Sequence, residues 1–159
     1  MTKLSASILI ATCGNADAGD DAFGPAVGRV VAGMNLPGVT VVDLDIRPAA
    51  LLDYLDGREA LVIVDAVKVP GRVGELLDVD WFDADRPALA HDDAMSSHGL
   101  SMGSQLELAG ELRMLPAAVR LIGVGIESAE VGRTMSAAVR RQVAVAAQRI
   151  GQYCRTWGS

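Results

Sequence analysis

Three side chains set far apart in the chain, Asp21, Asp65 and His98, have the clearest potential for chemistry. Two carboxylates and an imidazole make an oxygen-rich ligand set with one borderline nitrogen. Such a set can contact nickel, zinc or manganese while leaving coordination positions open. The same trio can instead act as a general base with its orienting acid. Each residue also has a plainer reading. Asp21 follows Asp20 where a helical pattern begins, and acids there cap the first turn or offset the helix dipole. Asp65 follows the apolar run Leu61-Val62-Ile63-Val64. A carboxylate there is costly to bury alone, so it needs a partner or an opening. His98, after Ser96-Ser97, reads as a surface histidine when taken by itself.

Other chemistries find less support. Gly14-Asn15 precedes the helical pattern, yet neither G-x-G-x-x-G nor G-x-x-x-x-G-K-[ST] is present, and Asp17, Asp20 and Asp21 oppose a bound anion. Cys13 ends an apolar run beside the same acids, which disfavour a thiolate, so it reads as structural. His91, next to Asp92 and Asp93, reads as solvated. No G-x-S-x-G elbow exists, so a serine hydrolase is not supported. Cys13 and Cys154 are the only cysteines; they build neither a disulfide framework nor a zinc ribbon and fit a reducing compartment. The net charge of -6 and the lack of a basic stripe argue against nucleic acid. No apolar stretch approaches the roughly 20 residues that cross a bilayer, and no signal peptide is recognisable. The expectation is a cytoplasmic protein with no membrane partner.

The elements that must position these residues alternate in type. Residues 4–12 read as a first strand buried on both faces, leading into the Cys13-Gly14-Asn15 turn. From Asp20, Phe23, Val27, Val30, Val31 and Met34 recur at helical spacing, and Pro37-Gly38 ends that helix. Residues 39–44 form a second strand, 48–55 a short helix with Pro48 in its first turn, and 60–67 a third strand interrupted near its end by Asp65. Residues 73–79 alternate like an edge strand, and 80–97 read as the longest loop. Helical spacing returns over 98–113 until Pro116, 119–126 is the last buried strand, and Thr134 opens a closing helix to about residue 153. At 159 residues, with 50% hydrophobic content but only 4% aromatics, one domain spanning 1–159 is expected, packed by Val, Ala, Leu and Ile. The order implies an α/β fold with a mostly parallel, about five-stranded sheet covered on both faces. Ligands in such sheets bind outside the carboxyl ends of the strands, where Asp21, Asp65 and His98 would gather.

Three segments together resemble one family. Gly14-Asn15-Ala16-Asp17-Ala18-Gly19-Asp20-Asp21-Ala22-Phe23-Gly24 is similar to the G-N-x-L-x-x-D-[DE]-[GA]-x-G signature of [NiFe]-hydrogenase maturation endopeptidases. Val62-Ile63-Val64-Asp65-Ala66-Val67 resembles the family strand ending in Asp-Ala. Ser97-His98-Gly99-Leu100, followed by Leu106-Glu107-Leu108-Ala109, resembles its histidine segment and the next helix, and Ile122-Gly123-Val124-Gly125-Ile126-Glu127 its last strand. The resemblance implies a three-layer α/β/α sandwich and an endopeptidase that removes the carboxyl-terminal extension of the hydrogenase large-subunit precursor once nickel has been inserted there. By motif position, Asp21, Asp65 and His98 would contact that nickel, and Gly14, Asn15 and Asp43 would bind substrate. The nickel arrives with the precursor, and no organic cofactor is implied. The alternative is a non-enzymatic metal-binding or metallochaperone module of the same fold. Two departures stand out: Asp17 replaces an apolar residue, and Leu44-Asp45-Ile46-Arg47-Pro48 follows Asp43 where Gly-Gly-Thr is common.

Overall fold

A computed structural model describes residues 6–69, 71–85, 102–127 and 130–159. In chain order it contains β1 (Ile8–Thr12), α1 (Phe23–Gly33), β2 (Val39–Asp43), β3 (Ala60–Lys68), β4 (Leu76–Asp80), α2 (Met102–Glu111), β5 (Ala118–Ile126) and α3 (Ala137–Trp157), with 3-10 turns at Gly19–Ala22 and Pro48–Tyr54. The five strands lie in the order β2-β1-β3-β5-β4. All neighbours are parallel except β4, which pairs antiparallel with β5 at one edge.

Strict alternation along the central strands explains why their sequences are continuously apolar. Ile8 and Ile10 of β1, with Ala60, Val62, Val64 and Ala66 of β3, enter one core, packed against Phe23, Val27 and Val31 of α1 and Val139, Ala146, Ala147 and Ile150 of α3. Leu9, Ala11, Leu61 and Ile63 enter the opposite core with Leu51 of the second 3-10 turn and Met102, Leu106 and Ala109 of α2. Each fully buried Leu, Ile or Val is worth about 1.5–3 kcal/mol, so both layers are held by the same strands. The result is the expected three-layer α/β/α sandwich around a mostly parallel five-stranded sheet. Asp65 continues the row Leu61-Ile63 in the carboxyl-terminal half of β3, with Val67 following it in the same row.

Several boundaries differ from the sequence expectations. The short helix expected over 48–55 is present as the 3-10 segment Pro48–Tyr54, one residue shorter. The edge strand starts at Leu76, not residue 73. Helix α2 stops at Glu111 because Arg113 takes a left-handed conformation (φ 57°) and Met114 N–H returns to Ala109 O at 2.9 Å. Thus Arg113, not Pro116, ends that helix. Helix α3 starts after Ser136, whose hydroxyl accepts from Val139 N–H, rather than at Thr134. It also runs beyond residue 153, where Tyr153 stacks on Trp157 with ring centroids 5.4 Å apart. Residues 98–101, expected to open α2, lie outside the described residues. None of the described helices is long and apolar enough to cross a membrane.

Candidate functional site

The site is built where β1 ends against the middle of β3, which continues to Lys68. Thr12 pairs with Val64, and Cys13 N–H donates to Val64 O at 2.9 Å. The chain then turns sharply at Gly14, whose φ of 138° suits glycine alone. A Cβ there would lie 2.1 Å from Asp21 O, so the missing side chain lets the Asp21 backbone close over the strand end. Gly24 allows a second close approach: a Cβ on it would meet Cys13 O at 2.3 Å and Val64 O at 2.9 Å. These two glycines press the start of α1, and the 3-10 turn carrying Asp21, onto the strand ends.

Asp21 is fully buried. Its Oδ2 accepts from Asn15 N–H at 2.8 Å, and no side chain caps either the 3-10 turn or α1. The helix-capping reading of Asp21 therefore fails: its carboxylate turns back to the first loop. The side chain of Asn15 is also committed within the loop, its Oδ1 accepting from Asp17 N–H at 2.9 Å. Asp17, at the position where an apolar residue is common, is exposed, and its carbonyl accepts from Gly132 N–H at 2.8 Å.

Asp65 is 6% exposed, with Oδ1 accepting from Ala66 N–H at 2.8 Å. Burial pushes its carboxyl well above the usual range, the negative charge of Asp21 pushes it further, and the Ala66 N–H pulls it partly back. Cys13 feels the same field. Burial raises its thiol most, followed by Asp65 and Asp21, with Gly14 N–H opposing and Asp43 adding a smaller push. The buried thiol donates to Asp45 O at 3.3 Å. Cys13 is a neutral structural group, as its flanking acids suggest.

Asp43 ends β2 and is exposed. Its Oδ1 accepts from Asp45 N–H at 2.8 Å and from Thr12 Oγ1 at 3.5 Å. Asp21, Asp43 and Asp65 thus share one end of the sheet, close enough for all three to act on Cys13. His98 lies outside the described residues. Among the described residues no three His, Cys, Asp or Glu side chains gather to hold a metal ion.

Two features of this end had no sequence reading. Asp45 adopts a left-handed φ of 54°, and its carbonyl accepts from Gly14 N–H at 2.9 Å. Aspartate is among the few non-glycine residues that tolerate this region. The other is a staple between the first loop and residues 130–136. Asp20 accepts from Ser136 N–H at 2.7 Å and from its hydroxyl at 3.1 Å, while Gly19 N–H donates to Arg133 O at 3.1 Å. A polar recess of about 190 Å³ lies between the two segments. No local signal links residues 116 positions apart.

Comparisons with known proteins find relatives that share this fold. The family model described as HycI, hydrogenase maturation protease, matches residues 27–152. The hydrogenase maturating endopeptidase HybD from E. coli is 25% identical and superposes with a TM-score of 0.78, covering 95% of this chain and 93% of that one. A hydrogenase 2 maturation peptidase from a Thaumarchaeota archaeon is 26% identical with a TM-score of 0.66, over 92% of this chain and 96% of that one. The fold is shared as well with a [NiFe] hydrogenase maturation protease HybD from Thermococcus kodakarensis, 24% identical with a TM-score of 0.72, over 92% and 98% of the two chains. No curated protein matches the sequence. A family match over most of the chain, on a sheet that brings the motif acids to one end, shows that this chain belongs to the hydrogenase maturation protease family.

Proposed function

We propose that this protein is the endopeptidase that removes the carboxyl-terminal extension of a nickel-loaded [NiFe]-hydrogenase large-subunit precursor, and that Asp21, Asp65 and His98 read the nickel held by that substrate. The observation that carries this reading is the proximity of two buried carboxyl groups, Asp21 on the 3-10 turn that follows β1 and Asp65 in the carboxyl-terminal half of β3. Two such groups in one low-dielectric site repel when both are charged. A divalent cation reverses that balance, because it favours the ionised form of each neighbour. With few ligands from the protein itself, the site is completed by an ion arriving already bound to substrate cysteines.

Contact with the nickel anchors the precursor beside Asp21 and Asp65, with the peptide to be cleaved next to it. Burial and the Asp21 charge favour the protonated form of Asp65 in the empty site, and a nearby cation favours its ionised form. Asn15 N–H holds Asp21 in place, and the Gly14 and Gly24 contacts fix the turn on which it sits.

The test is incubation with nickel-loaded and nickel-free precursor, followed by mass spectrometry of released peptide. Release from the loaded form alone is expected, with loss of release in His98→Ala. Equal cleavage of both forms would refute nickel-gated recognition. Tight nickel binding by the isolated protein with no cleavage would instead identify a metallochaperone.

A further inference from the structure

The two edges of the sheet are guarded differently. Edge strand β4 carries Asp78 and Asp80; Asp78 accepts from Arg120 Nε at 2.9 Å and from the Tyr153 hydroxyl of α3. Acids and ion pairs of this kind discourage addition of a further strand. The opposite edge, β2, reads Val39-Thr40-Val41-Val42 before it reaches Asp43.

The backbone of β2 is half used. Ile8 N–H donates to Gly38 O at 2.9 Å and Leu44 N–H to Thr12 O at 2.8 Å. The even-numbered residues of β2 therefore face β1, and alternation turns the N–H and C=O of Val41 toward the open edge. Among the described residues no strand pairs there. Beside the edge lies a recess of about 390 Å³, lined by Val31, Ala32, Asn35, Leu36, Val39 and Val41, where the last turns of α1 meet β2. An extended peptide along β2 would bond to the Val41 backbone and send alternate side chains into this recess, the two components of recognition by strand addition.

The occupant follows from continuity with the site. β2 runs up to Asp43, whose charge reaches Cys13 together with those of Asp21 and Asp65. A peptide on this edge therefore leads to the end of the sheet that carries these acids. We propose that the outer edge of β2 and the adjoining recess receive the carboxyl-terminal extension of the substrate as an added antiparallel strand with apolar residues at alternate positions. The inference rests on the function proposed above. Its direction follows because the extension leads away from a scissile bond held at the carboxyl end of β2.

Two variants test it on the full-length protein. Val41→Pro deletes the outward N–H, and proline is tolerated on edge strands at such positions. Ala32→Trp fills the recess from an exposed helix position and decides the matter if Val41→Pro fails to fold. Wild type and variants are assayed on nickel-loaded precursor. Each variant should raise KM at least about fivefold, the loss expected of one hydrogen bond or its packing equivalent, with kcat changed less than about twofold. If wild type processes the precursor and folded variants keep its KM, the edge proposal falls while the proposed function stands. If wild type fails on the loaded precursor, the function falls and the inference with it. A wild-type dimer that Val41→Pro dissociates without altering KM would assign the edge to a second copy and overturn the proposal.

Discussion

Gly24→Ala adds one methyl carbon at a point where Cys13 O would lie 2.3 Å away and Val64 O 2.9 Å away. Both neighbours are backbone atoms, one just past the end of β1 and one within β3, so neither can rotate aside. Ordinary contact begins near 3.4 Å, and the start of α1 must lift from the sheet by about 1 Å to accept the methyl. Overpacking of this kind costs about 1–3 kcal/mol, less than the ~5–15 kcal/mol that holds a domain together, so the variant should fold. Asp21 sits on the turn immediately before α1 and moves with it, stretching its 2.8 Å bond from Asn15 N–H. A misplacement of about 1 Å at a positioned group costs on the order of 100-fold in rate. Urea denaturation should therefore show a modest loss of stability, while processing of nickel-loaded precursor falls about 100-fold in protein that remains folded. Gly33→Ala, in the same helix, is the control: a Cβ there meets nothing within 4 Å, and processing should be unchanged. A folded Gly24→Ala protein that processes within about threefold of wild type would refute the claim that this close approach positions Asp21.

The remaining predictions concern the other acids. Asp20→Ala removes the acceptor of two hydrogen bonds from Ser136 and should cost about 1–2 kcal/mol in stability, with Asp20→Asn restoring part of it; no change in melting would show that the staple is idle. Asp65→Asn should abolish nickel-dependent processing yet raise Tm by a few degrees at neutral pH, since it removes a group that burial and the Asp21 charge disfavour as an anion. The sign follows from linkage: the folded pKa lies above the unfolded value of about 3.9, so the stability tied to this proton is complete below that value and is lost as pH rises toward the folded pKa. The advantage of Asp65→Asn should therefore grow with pH above about 4, and a gap that shrinks with pH in thermal melts would contradict this account.

The sequence by itself determined the layers of this protein. Continuous apolar runs such as Leu61-Val62-Ile63-Val64 require strands buried on both faces, and the helical spacing of Phe23, Val27 and Val31 requires a helix against one of them. The order of these elements prescribed a mostly parallel sheet, and the position of Asp65 after an apolar run marked the part of the sheet that Asp21 and Asp43 also approach. Element boundaries were less legible because non-local contacts set them: Ser136 begins α3 while its backbone and hydroxyl also serve Asp20, and Arg113 ends α2 through its own left-handed backbone. Only the tertiary structure decided the orientation of the acids. Asp20 and Asp21 are adjacent and chemically identical, yet one reaches outward to α3 and the other lies buried beside Asp65. That choice depends on the close approaches permitted at Gly14 and Gly24 and on the fields of residues distant in the chain, which local spacing does not encode.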